Sequence, residues 1–288
     1  MTKNVIVVLT VAASTALGFS PLTHPTRILV HKGVSNSTLP LSSHGQSFSL
    51  LSSTPMHFSS HKSSRNQPLF LAQVASSSDA NAEYVEEPET NVKFQTCLNF
   101  PGCSNSLTLL GTGYREKIFA IVSVKVYAAG LYLDQHITRE LNAWKGQSKD
   151  AIQGNSSLFQ TIFQSSFEKS LQIILARNID GKTFWEALSD AISPRIPSST
   201  TVDEIALSIF RSVFLDRPLK KGTFIILTWL NPSKLLVSVS SNGLPSTIDA
   251  AIESENVSCA LFNVFLGDSP VSPSLKASVA EGLSKVLK

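Results

Sequence analysis

Past about residue 92 the apolar positions of this chain follow two periods. From Phe119 to Leu133, Val122, Val124 and Val126 alternate with Ser123, Lys125 and Tyr127, the period of two that marks a strand with unlike faces. Lys93–Thr96, Ser106–Leu110 and Leu171–Leu175 read as shorter strands. Thr223–Leu230 and Leu235–Ser240 flank Asn231-Pro232-Ser233, which predicts a hairpin. Elsewhere the period is helical. Phe184, Leu188, Ala191 and Ile192 fall on one helix face behind Asp180-Gly181. Ala206, Ile209, Phe210, Val213 and Phe214 repeat the pattern, with Asp203 near its start. Leu275, Val279, Leu283, Val286 and Leu287 predict a terminal helix after Ser272-Pro273. Strands first, helices in the middle, then a hairpin and a helix predict an α+β fold, a large antiparallel sheet covered on one face by helices.

Charge changes the picture at the N-terminal end. The 288 residues carry a formal net charge of +3, yet no Asp or Glu occurs from Met1 to Ser78, where Lys3, Arg27, Lys32, Lys62, Arg65 and seventeen serines lie. Without that stretch nineteen basic residues face twenty-one acidic ones, so the basicity belongs to a leader and nucleic acid is not an expected partner. A Ser-rich, acid-free, modestly basic leader is the composition of a plastid or mitochondrial transit peptide, here residues 1–78. The run Val5–Ala13 suits the rival reading, a secretory signal, which would leave roughly sixty further acid-free residues unexplained. That run is shorter than the about 20 residues of a membrane span. Residues 79–91 are acidic and poor in apolar groups and read as a linker, which leaves 92–288 as one domain.

Several chemistries lose their residues. Cys97, Cys103 and Cys259 are an odd number without a C-x-x-C pair, and read as reduced thiols. Past the leader the only histidine is His136, too few for a His-rich zinc site or a Ser-His-Asp triad. Gly111-Thr112-Gly113 opens a glycine pattern whose third position is Glu116 and which runs into a strand, so no dinucleotide site is expected. No metal and no cofactor are expected.

Gly111-Thr112-Gly113-Tyr114-Arg115-Glu116-Lys117 leads into Val124-Lys125-Val126-Tyr127-Ala128-Ala129-Gly130-Leu131-Tyr132-Leu133. Glu168-Lys169-Ser170-Leu171, Asp180-Gly181-Lys182-Thr183-Phe184-Trp185, Gly243-Leu244-Pro245-Ser246-Thr247 and Gly267-Asp268-Ser269-Pro270-Val271-Ser272-Pro273 follow. Together these resemble the chalcone isomerase superfamily, most closely its chalcone isomerase-like, fatty-acid-binding branch of plant plastids. The resemblance covers residues 92–288 and implies an open-faced β-sandwich with a ligand cleft between sheet and helices.

Departures from the isomerases bear on function. The family arginine is kept as Arg115, and Thr247 matches a ligand-contacting threonine. Where the isomerases carry tyrosine, lysine and asparagine, this chain has Phe184, Ala187 and Ala191, one helical face made only of carbon. That face offers no acid, cation or amide for cyclising a chalcone, so the resemblance implies no catalytic residues. Tyr127 stands where the isomerases carry a threonine and the fatty-acid-binding members a tyrosine. Arg115 and Tyr127 are an even twelve residues apart, so a hairpin centred near Ile121 would set them opposite each other. Lys117–Val124 contains no turn residue, which leaves a bend or a bulge equally open. A guanidinium fork and a phenol together make a carboxylate clamp.

These readings combine into a non-catalytic binding or carrier protein for long-chain fatty acids in the plastid stroma, a monomer. Arg115 and Tyr127 would hold the carboxylate, and Phe184, Ala187, Ala191 and Thr247 would line the pocket. A chalcone-to-flavanone isomerase and a non-catalytic flavonoid-pathway helper are the alternatives.

Overall fold

Local capping fixes where the helices begin. The Asp180 side chain accepts from the Thr183 N–H, and Thr200 and Asp203 form a reciprocal capping box. Ser254 accepts from the Val257 N–H in the same way. The computed structural model describes residues 82–119 and 121–288, so the transit-peptide reading of 1–78 lies outside the described residues. In chain order the strands and helices begin with β1 (Tyr84–Glu87), β2 (Val92–Gln95), β3 (Cys97–Leu98), β4 (Leu107–Phe119) and β5 (Val122–Leu133). Then come α1 (Lys149–Gln153), α2 (Ser156–Gln164), β6 (Lys169–Leu175), β7 (Ile179–Asp180), α3 (Gly181–Ile192) and α4 (Thr201–Ser212). The chain closes with β8 (Pro218–Leu219), β9 (Phe224–Asn231), β10 (Lys234–Ser240), β11 (Ala250–Ile252), α5 (Glu255–Leu266) and α6 (Pro273–Val286).

Seven strands form one antiparallel sheet in the order β11-β10-β9-β6-β5-β4-β3. Strand alternation sorts its side chains into two cores. Tyr127, Ala129, Leu131, Leu171, Ile173, Leu175, Ile225, Leu227 and Trp229 face the helices and join the main core. Ala128, Tyr132, Ile174 and Ile226 face the other way, onto Phe94, Leu98, Phe100 and Leu107. The α+β architecture read from the sequence is the one observed, and the second face carries its own small core.

Three boundaries differ from the sequence reading. Tyr84–Glu87, inside the acidic stretch 79–91, pairs in register with Val92–Gln95, so that stretch is not a bare linker along its length. Its side chains stay largely in water, which suits a polar sequence. The short strand expected at Ser106–Leu110 runs on to Phe119, through the glycines. The single strand expected from Phe119 to Leu133 is instead the second arm of a hairpin, since Phe119 pairs with Val122.

The glycines in β4 are a packing device. A Cβ on Gly111 would lie 2.6 Å from the Ser278 backbone, and one on Gly113 would lie 2.2 Å from the Leu275 nitrogen. Only glycine lets the α6 backbone lie directly on the strand. The outer edge of β4 is then satisfied by two serines of α6 and by Ser272, which precedes it. Thr112 N–H donates to Ser278 Oγ at 3.1 Å, Tyr114 N–H to Ser274 Oγ at 3.0 Å, and Ser272 Oγ donates to the Tyr114 carbonyl at 2.6 Å.

Candidate functional site

Arg115 follows immediately on the stretch of β4 that α6 pins, and its Cα partner across the hairpin is Tyr127. The pairing shifts by one residue between Arg115 and Glu116, a bulge on the β5 side, so the structure contains both the hairpin and the bulge. That extra residue explains the even spacing of twelve. Tyr127 pairs on its other side with Leu175 and points into the helix-facing core, as cross-strand partners share a face.

The two polar ends of this pair are unmatched. Tyr127 is 3% exposed, and its hydroxyl is buried without a hydrogen-bond partner among the described residues. Arg115 is half-buried, and among the described residues its guanidinium forms no salt bridge. Burial pushes the Tyr127 phenol up to about 12, with the nearby Arg115 acting in the opposite sense through its charge and as a donor facing the phenol oxygen. The phenol therefore keeps its proton at neutral pH. The phenol oxygen can accept from the guanidinium that faces it, but the phenol's own proton and the other guanidinium N–H groups find no acceptor among the described residues. An orphaned buried donor costs about 1–3 kcal/mol. A group that only accepts, such as a carboxylate, is what would complete the site.

The carbon face read on α3 is present. Phe184 is buried, with its ring centroid 5.0 Å from that of Phe214, and Ala187 and Ala191 are half-buried. Phe184 and Ala191 belong to the same apolar cluster as Tyr127, so two of the residues expected to line the pocket share one core with it. Thr247 is not brought there. It is exposed in the segment between β10 and β11, on the sheet edge opposite β4, a placement that sequence spacing cannot foresee. Behind Tyr127 the space is filled by packed side chains. A cleft of about 670 Å³ lies elsewhere, lined by Ser156, Phe159, Arg195, Leu266 and Asp268 among others, and neither Arg115 nor Tyr127 lines it.

Two lysines bear on the reading. Lys125 faces away from the clamp: its Nζ donates to Glu89 Oε2 at 2.8 Å and to Glu116 Oε2 at 3.3 Å, and lies 3.8 Å from the centre of the Tyr114 ring. Lys169 is fully buried on the helix-facing side, and the sequence reading passed it over. Its Nζ donates to the Ser165 and Phe167 carbonyls at 3.0 and 2.9 Å, closing the C-terminal end of α2. Burial pushes it down to about 8, with Glu140 acting in the opposite sense. It sits six residues along β6 from Leu175, about 20 Å from Tyr127 by strand rise, too far to serve as an acid at the clamp. Among the described residues no group of three or more His, Cys, Asp or Glu side chains is arranged to hold a metal.

Comparison with known proteins agrees with this architecture. The chain is 31% identical over 194 residues to a chalcone–flavanone isomerase of Canna generalis, covering 65% of this chain and 86% of that relative. It is also 31% identical over 204 residues to chalcone–flavanone isomerase 2 of Lotus japonicus, covering 69% and 92%. Among solved structures, a fatty-acid binding protein of Arabidopsis thaliana superposes with a TM-score of 0.59 at 20% identity, over 71% of this chain and 99% of that one, which establishes a common fold. The chalcone–flavanone isomerase family model matches residues 89–286, and this chain belongs to that family.

Proposed function

We propose that this protein binds long-chain fatty acids without transforming them, and carries them in the plastid stroma. The observation that carries the reading is the pair of unmatched donors, Arg115 and the buried Tyr127 hydroxyl, aligned across the β4–β5 hairpin. A carboxylate accepts from both, and a bidentate guanidinium contact is the geometry that arginine offers and lysine does not. The N-terminus of α6, anchored on Tyr114, adds partial positive charge one residue away. The tail belongs against Phe184, Ala187 and Ala191, where each buried methylene contributes about 0.8 kcal/mol. Because that space is packed with side chains, tail entry requires the α3 side chains to yield.

A second reading rests on the curated relatives, which are isomerases and share Arg115 by the sequence resemblance. The missing acid, cation and amide on α3 weigh against it. Native mass spectrometry of the protein purified from bacteria separates the two. Co-purified long-chain acids, with no flavanone formed above the spontaneous rate, support the carrier. Empty protein that cyclises chalcone supports the isomerase. The acid-free, Ser-rich leader supports a plastid address, and a fluorescent fusion of residues 1–90 that reaches the endoplasmic reticulum would contradict it.

A further inference from the structure

The β4–β5 hairpin does not end with the sheet. On the β6 side the pairing of β5 stops at Tyr127, continued only by the Ala176 N–H to the Val126 carbonyl at 3.0 Å. Val122–Lys125 and Glu116–Phe119 run on as a two-stranded ribbon, about 13 Å of chain beyond the neighbouring strand by the usual rise per residue. Its tip is apolar and in water: Ile121 is 96% exposed, Ile118 71% and Val122 58%. Ile118 and Val122 lie on opposite faces of the ribbon, so neither layer of the fold could cover both.

Cations surround the base of this ribbon. The turn after β6 carries Arg177, and the turn before β9 carries Lys220 and Lys221. The two turns are tied together by the Lys221 N–H to Asn178 Oδ1 at 2.7 Å and the Gly222 N–H to the Leu175 carbonyl at 2.8 Å. Arg177, Lys220, Lys221 and Lys117 are exposed, and among the described residues none forms a salt bridge. The carboxylates nearby are Glu89, bound to Lys125, Glu116, bound to Ser123 and Lys125, Asp180, which caps α3, and Asp216.

We infer that the β4–β5 tip docks on an anionic bilayer surface, with Ile118, Ile121 and Val122 entering the acyl boundary and Lys117, Arg177, Lys220 and Lys221 resting on lipid phosphates. Apolar side chains ringed by unpaired cations are the composition of an interfacial anchor. The open edges of the ribbon keep the insertion shallow, since unpaired backbone groups do not enter hydrocarbon. Three side chains on a narrow tip are too few for a stable protein interface, which needs about 800 Å² per partner. The docking rests on the hairpin alone. Its use rests on the proposed function, for Arg115 and Tyr127 stand where the ribbon leaves the sheet, and an acid drawn from a leaflet along it would meet the clamp first.

The test needs a readout at the tip, because the basic leader of the full chain is itself drawn to anionic vesicles. Ile121→Trp supplies one, after subtraction of the wild-type spectrum. With vesicles of phosphatidylcholine and phosphatidylglycerol we expect a blue shift and quenching by brominated acyl chains. Adding Ile118→Asp should abolish the quenching, and Lys220→Ala or Lys221→Ala should each weaken it about fivefold in lipid titration. No quenching, or equal quenching on phosphatidylcholine alone, overturns the inference. A blue shift that grows with protein concentration without vesicles also overturns it, by assigning the tip to a second copy of the chain. Palmitate titration of the same proteins separates the two readings: lost docking with intact palmitate affinity condemns the docking alone, and quenching without palmitate binding condemns the carrier alone.

Discussion

Tyr127 and Tyr132 lie five residues apart on β5, both buried, on opposite faces of the sheet. On the face away from the helices the Tyr132 hydroxyl is complete, 2.9 Å from the Gln95 carbonyl and 2.9 Å from Gln172 Oε1. On the helix face the Tyr127 hydroxyl has no partner among the described residues, and the neighbouring Arg115 forms no salt bridge there. Lys169, also on the helix face, has carbonyl partners for its ammonium. The chain can therefore satisfy buried polar groups on either face; among the described residues the buried side-chain atoms left without a partner are the Tyr127 hydroxyl and Ser258 Oγ, and only the former faces a charged group, Arg115. Buried polar groups are nearly always matched, so the open Arg115–Tyr127 pair is where the proposed carboxylate would fit.

The strongest way to break this comparison is Arg115→Ala. Leaving a buried carboxylate without its charge partner costs about 3–5 kcal/mol, so palmitate affinity should fall by two to four orders of magnitude. Arg115→Lys should not restore it, because a point charge lacks the fork. Palmitate methyl ester should bind wild type and Arg115→Ala alike. Next is Tyr127→Phe, which removes one hydrogen bond to a charged group and should weaken palmitate binding by about 1.5–3 kcal/mol. It should leave the stability of the ligand-free protein unchanged or raised, because the lost hydroxyl had no partner.

Tyr132→Phe sharpens the comparison from the other side. It strands the buried Gln172 side chain and should lower stability by about 1–3 kcal/mol in urea unfolding, with palmitate affinity intact. A smaller effect distinguishes Lys169. Its folded value, near 8, lies below the ordinary 10.5, so above pH 8 the folded state holds fewer protons than the unfolded one and stability rises with pH. Cys103, pushed up to about 12 mainly by burial, opposes this once pH passes the ordinary thiol value of 9.0. Between pH 8 and 9 the wild type should gain about 1 kcal/mol that Lys169→Met does not.

What the sequence revealed follows from how each element is buried. The α3, α4 and α6 helices bury one stripe, and their apolar period is visible. The α5 helix buries Val257, Ala260, Leu261, Phe262, Val264, Phe265 and Leu266 nearly all round, so no stripe marks it and it went unread. The run of β4 through Gly111 and Gly113 was hidden because glycine reads as a turn until the crossing of α6 is known. The Arg115–Tyr127 pairing was legible from spacing and resemblance together. Its unpaired state was not, because partners depend on what the fold brings near.

Carbon-13 resonance of carboxyl-labelled palmitate bound to the protein, followed as pH is lowered, tests the clamp most directly. In the wild type the bound carboxyl should stay ionised below the titration point of an ordinary carboxylic acid, since two donors favour the charged form. In Arg115→Ala it should instead titrate above that point, because burial without a partner favours the neutral acid. A bound carboxyl that titrates identically in both proteins would contradict the account.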